Sequence, residues 1–244
     1  MDERFKLALE SSLEFLRTDP EVRIVQLYGS VQRKQTHAHS DIDLYAVTSR
    51  SAYWRSCVVR HGVPVEAIFG PEHGIRRQLV TGDVSAVKAF ATGETLMDRD
   101  GAAPALIALA RKVHEEGPPA LKPSQRMMTR AVLTRFLDKL RQLPDASPEA
   151  RMVAGEALPM TVVAFYDHHR LWKPSTQHRL AEIERVDPHV GRLLRSCYTD
   201  DVSTRHAVAV IQRVLEALGG ELLEYQSEQV PAPARPAGAP RSAE

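Results

Sequence analysis

The chain has 244 residues, 43% of them hydrophobic and 26% charged, and its 32 basic and 31 acidic side chains leave a formal charge of +1. That length suits one generous domain or two modest ones, and two is the expectation. No apolar run approaches the roughly 18 residues of a spanning helix, and the balanced charge argues against a protein that coats nucleic acid while leaving room for a local anion-binding patch.

The opening MDERFKLALE is charged and helix-prone and lacks the basic start, apolar stretch and cleavage site of a secretory leader, so a cytoplasmic location is expected. Leu7, Leu13, Phe15 and Leu16 outline an amphipathic first helix that ends near Thr18-Asp19-Pro20, since proline disfavours helix before it. Short β-branched runs predict strands at 22–28, 42–47 and 63–69, with a helix around 53–60 between the last two and a shorter strand at 94–97. Strands alternating with helices indicate an α+β or α/β layout, helices packed on a sheet.

From Pro104 the texture changes to Leu-, Ala- and Arg-rich stretches with three-to-four-residue apolar spacing, the pattern of a helical domain. Breaks fall at Gly117-Pro118-Pro119 and Pro144 to Pro148, and Ser147-Pro148-Glu149 has the cap, first-turn proline and acidic start of a helix. Arg126, Arg130, Arg135, Lys139 and Arg141 recur at helical spacing, the pattern of a solvated face. Phe165 to Pro174 is an aromatic-basic run in which Trp172 reads as core packing at a helix end or as the wall of a binding site. The final Pro- and Ala-rich stretch has no apolar period and reads as a disordered tail. The two cysteines, Cys57 and Cys197, are far apart and without metal-ligand spacing, so they read as buried thiols.

The segment richest in chemistry runs from Leu27 to Leu44: a strand end, Gly29-Ser30, a polar linker of ten residues, then Asp41-Ile42-Asp43-Leu44 opening the next strand. Residues two apart on a strand share a face and stand roughly 6.5 to 7 Å apart, so Asp41 and Asp43 can share bound cations while Ile42, Leu44 and Ala46 face a core. Two neighbouring carboxylates repel each other unless a cation lies between them, and magnesium, which favours carboxylate and phosphate oxygens, fits the position. Gly29 permits a tight turn and close ligand approach, Ser30 offers a hydroxyl and an N–H, and Arg33 and Lys34 can neutralise phosphates.

This pattern resembles the signature of the DNA polymerase beta-type nucleotidyltransferase superfamily: Gly-Ser, a spacer, then Asp-hydrophobic-Asp-hydrophobic. GSxxR followed by HSDIDL is most similar to the small bacterial branch of aminoglycoside and minimal nucleotidyltransferases. The resemblance implies an N-terminal nucleotidyltransferase-fold domain, a mixed β-sheet flanked by helices, expected over residues 1–103; the change of texture and the final composition then give an all-α domain over 104–226 and the tail over 227–244. It implies two Mg2+ ions on Asp41 and Asp43, with ATP as the donor seated by Gly29, Ser30, Arg33, Lys34 and Ser40.

The family adds a third acidic residue from a neighbouring strand, and alternation through Val63, Val65, Ala67 and Phe69 puts Glu66 on the opposite face as the candidate ligand or general base. Glu156, on a mostly apolar helix, is a second candidate base, because kanamycin-type relatives supply a glutamate from the helical domain. His37 and His39 read as loop residues. The activity implied is transfer of AMP to a hydroxyl of a small molecule, with an aminoglycoside-like antibiotic as one acceptor. The alternatives are AMP transfer to a protein partner and a nucleotide-binding regulator without turnover.

Overall fold

The computed structural model describes residues 2–37, 39–199 and 204–226, so the expected tail over 227–244 lies outside the described residues. It opens with α1 (Glu3–Thr18), whose N-cap Asp2 accepts from the Arg4 N–H, and which ends at Asp19 one residue before Pro20. The strands are β1 (Val22–Tyr28), β2 (Ile42–Thr48), β3 (Trp54–Arg60), β4 (Val63–Pro71) and β5 (Glu94–Asp98). A single helical turn, α2 (Gly29–Gln32), follows β1, and α3 (Glu72–Val80), α4 (Val84–Thr92) and α5 (Ala103–Glu116) complete the first part.

The five strands form one mixed sheet in the order β3-β4-β2-β1-β5, with β2 and β4 parallel and every other pair antiparallel. Helices flank it, so the α+β class read from the sequence is the observed one. Alternation assigns the two faces. Val25, Leu27, Ile42, Leu44 and Val65 point towards α1 with Phe5 and Leu16, whereas Ile24, Tyr45 and Val47 pack against Ile75, Leu79, Phe90 and Leu106 of the later helices. Burial of this kind contributes about 1.5–3 kcal/mol for each large apolar side chain and is what holds each strand to its register.

Residues 53–60, expected to be helical, form β3 instead. Trp54, Ser56 and Val58 are half-buried while Arg55, Cys57 and Val59 face outwards, a period of two. His61 and Gly62 both have positive φ, 49° and 73°, the geometry of a two-residue turn that joins right-twisted strands, and β3 returns on β4 from Arg60 opposite Val63. Cys57 is therefore exposed, contrary to expectation, and only Cys197 is buried.

The described residues divide into two compact units, one within 2–120 with 169–174 and the other within 121–168 with 175–226. The first extends past the expected boundary at residue 103 because Ala103, Leu106 and Ala110 of α5 are buried in the core shared with α3 and α4. It also holds Trp172, whose Nε1 donates to the His114 carbonyl at 2.8 Å and whose ring stacks on the His114 imidazole. Those bonds give Trp172 the packing role.

The second unit is built from α6 (Pro123–Gln142), α7 (Pro148–His169), α8 (Thr176–Val186), α9 (Pro188–Ser196) and α10 (Thr204–Leu218). The Ser147 hydroxyl caps α7 by accepting from the Ala150 N–H at 3.1 Å. Part of the basic run on α6 is used internally. Arg130 donates to the carbonyls of Gly219 and Gly220 beyond α10, and Arg141 grips Glu221 with two bonds of 2.9 and 2.7 Å. None of the described helices is long and apolar enough to cross a membrane.

Candidate metal and nucleotide site

The site forms where β1 and β2 meet. Antiparallel pairing sets Tyr28, the last residue of β1, opposite Asp43 on β2. The chain then turns at Gly29 with φ +81°, in the left-handed region that favours glycine. Space imposes the same choice: a Cβ on Gly29 would stand 1.9 Å from Asp43 Oδ2 and 2.9 Å from its Cγ. The Gly29 backbone thus lies directly against the carboxylate.

The loop back to β2 is pinned by Ser40, which is buried and exchanges two bonds with His37. The His37 N–H donates to Ser40 Oγ at 2.9 Å, and the Ser40 N–H donates to the His37 carbonyl at 3.0 Å. This closure fixes the approach to Asp41. The Ser40 hydroxyl, placed with the nucleotide by the sequence, accepts inside the loop.

Parallel pairing of β2 with β4 sets Asp43 beside Glu66. Asp41, Asp43 and Glu66 each offer a carboxylate oxygen within 4.8 Å of the others, with the two aspartates half-buried and the glutamate exposed. No described lysine, arginine or histidine forms an ion pair with any of the three. Burial pushes the Asp43 carboxyl up to about 6, the charges of Asp41 and Glu66 push the same way, and Arg33 opposes them. The metal-free site therefore resists holding all its negative charge.

A divalent cation is the group this set fits. Three hard oxygen donors converge, and their span is close to the roughly 4.2 Å between opposite oxygens around one Mg2+. Arg33 is exposed, its Nε donating to Gln35 Oε1 at 3.2 Å, and near enough to act on Asp43. Lys34 is exposed with a positive φ of 58° and is not among the charges acting on Asp43. Glu156 is exposed on α7 in the second unit, and the acidic trio is complete without it.

Two residues of this face escaped the sequence reading. Tyr28 feels Asp43 and Glu66, and burial with those charges raises its hydroxyl well above the usual range, so it remains a donor at physiological pH. Arg55 on β3 acts in the opposite sense on Tyr28 and on Tyr45. The signal for Tyr28 was its place immediately before Gly29; the signal for Arg55 was available only with β3 recognised as a strand.

No family model matches the chain, and no curated protein matches it. Among solved structures, it is similar to a nucleotidyltransferase-like protein from Exiguobacterium sibiricum 255-15, over 87% of this chain and 73% of the other, at 15% identity and a TM-score of 0.45.

Proposed function

We propose that the protein is a Mg2+-dependent nucleotidyltransferase that moves AMP from ATP to a hydroxyl of a small molecule and releases pyrophosphate. The observation that carries this reading is the contact of Gly29 with Asp43, inside a trio of carboxylates that includes Asp41 and Glu66. A glycine-serine turn abutting a cation site brings phosphate-binding backbone and charge neutralisation to one place, which is what phosphoryl transfer chiefly requires.

Asp41, Asp43 and Glu66 would hold the magnesium, which supplies neutralisation of the triphosphate and of the charge that develops on the leaving oxygen. The Gly29 backbone and the Ser30 hydroxyl and N–H seat the β- and γ-phosphates, whose charge Arg33 and Lys34 help to neutralise. The acceptor oxygen attacks the α-phosphorus in line, the bond from that phosphorus to the α,β-bridging oxygen breaks, and pyrophosphate carries away the electron pair. Glu66, the exposed member of the trio, takes the proton from the acceptor hydroxyl.

Incubation of the full chain with Mg2+, labelled ATP and a panel of hydroxylated acceptors tests this directly. Release of pyrophosphate should require Mg2+ and fall at least about 10³-fold in Asp41→Asn/Asp43→Asn. Turnover that survives the double substitution rejects the site.

A further inference from the structure

The sheet face that carries the acidic trio is covered unevenly. Towards β1 and β2 it is buried under α3, α4 and α5, whereas Arg55, Cys57 and Val59 of β3 and Pro64 and Glu66 of β4 are all exposed. Register ties this bare strip to the trio: Cys57 stands opposite Glu66, and Arg55 stands opposite Ile68, two residues further along β4. Among the described residues the Arg55 guanidinium has no ion-pair or hydrogen-bond partner.

We propose that this strip seats the acceptor and that Arg55 selects acceptors bearing a phosphate or carboxylate near the reacting hydroxyl. The inference rests on the nucleotidyl-transfer reading above. In-line displacement puts attacking and leaving oxygens on opposite sides of the phosphorus. With the pyrophosphate end at Gly29 and Ser30, where β1 ends against Asp43 of β2, the strand order β1-β2-β4-β3 leaves the β4 and β3 side for the attacking hydroxyl. Glu66 is the trio member on that side, and Arg55 is the one other charged side chain of the strip. A guanidinium presents a planar fork of donors that matches phosphate and carboxylate oxygens. An amino-sugar antibiotic, the acceptor suggested by the sequence resemblance, is polycationic and offers Arg55 no anionic group to bind.

Cys57 supplies a reporter on the strip, since it is exposed while Cys197 is buried. The rate at which a neutral disulfide, 2,2′-dithiodipyridine, modifies Cys57 in the full chain should fall about threefold when glycerol 3-phosphate or glycerate occupies the strip at millimolar concentration, and should not change with glycerol. Comparing the two anions separates phosphate from carboxylate recognition. Arg55→Glu should abolish the protection and Arg55→Lys should keep part of it. In the transfer assay, Arg55→Glu should raise KM for the anionic acceptor about tenfold or more with kcat nearly unchanged and ATP affinity within about twofold.

Equal protection in wild type and Arg55→Glu, protection by an amino sugar but by neither anion, or a large loss of ATP affinity in Arg55→Glu overturns the proposal. The thiol measurement needs no turnover. A chain that shows the protection but turns over ATP independently of Asp41 and Asp43 contradicts the nucleotidyl-transfer site, not the anion-selecting strip.

Discussion

Gly29 lies so close to Asp43 that a methyl group on its Cα would sit 1.9 Å from the carboxylate oxygen Oδ2. The glycine of the turn and the second aspartate of Asp41-Ile42-Asp43 are two halves of one contact, made by the pairing of β1 with β2. Gly29→Ala should therefore cost stability and function together. Positive φ and the collision add to about 2 kcal/mol or more, read as a fall in Tm, and Mg2+-dependent turnover should drop at least about 10²-fold. In Gly29→Ala/Asp43→Ala the carboxylate is gone, so the stability cost of Gly29→Ala should be smaller than in wild type while activity stays absent.

Asp43 also sets a dependence of stability on pH. Its carboxyl is pushed up to about 6, by burial first and then by Asp41 and Glu66, from 3.8 in the unfolded chain. The folded state binds this proton more tightly, so the stabilisation from protonation is complete below pH 3.8 and is lost as pH rises through about 6. Asp43→Asn should thus stabilise the metal-free protein at pH 7 by about 1–2 kcal/mol after allowance for solvent screening, with the advantage vanishing near pH 4. Thermal melts in chelator across that range check it. Added Mg2+ should narrow the difference by stabilising wild type alone.

The same carboxyl predicts how activity responds to acid. A proton on Asp43 competes with the cation, so turnover at limiting Mg2+ should decline as pH falls through about 6. Raising Mg2+ should move the midpoint to lower pH. A midpoint that ignores Mg2+ contradicts metal binding by this residue.

Ser40 and Ser30 should separate in their effects. The buried Ser40 hydroxyl accepts from the His37 N–H inside the loop, so Ser40→Ala should destabilise by about 1 kcal/mol with a modest change in KM for ATP. Ser30→Ala should show the reverse, near-native Tm and weaker ATP binding. Calorimetry with ATP titration measures both quantities on each variant.

Much of this architecture was legible in the residues. Alternation through Val63 to Phe69 predicted β4 and put Glu66 on the face opposite Val63, Val65, Ala67 and Phe69, and the parallel register then set it beside Asp43. The residues of β3 misled because Trp54, Cys57 and Val58 also satisfy the spacing of a helix face, and only the left-handed pair His61-Gly62 marks the segment as half of a hairpin. Losing β3 hid Arg55 and the exposure of Cys57. The loop bond of Ser40 was hidden differently, since its type suits a phosphate contact and only the folded loop shows its oxygen accepting from the His37 N–H.

Divalent-cation binding at the trio is the measurement closest to the centre of this account. Titration of the full chain with Mn2+ in the presence of ATP, followed by electron paramagnetic resonance, should show ion bound to wild type and about tenfold or weaker binding in Asp43→Asn, with Glu156→Gln equal to wild type. Equal Mn2+ binding by wild type and Asp43→Asn contradicts the account.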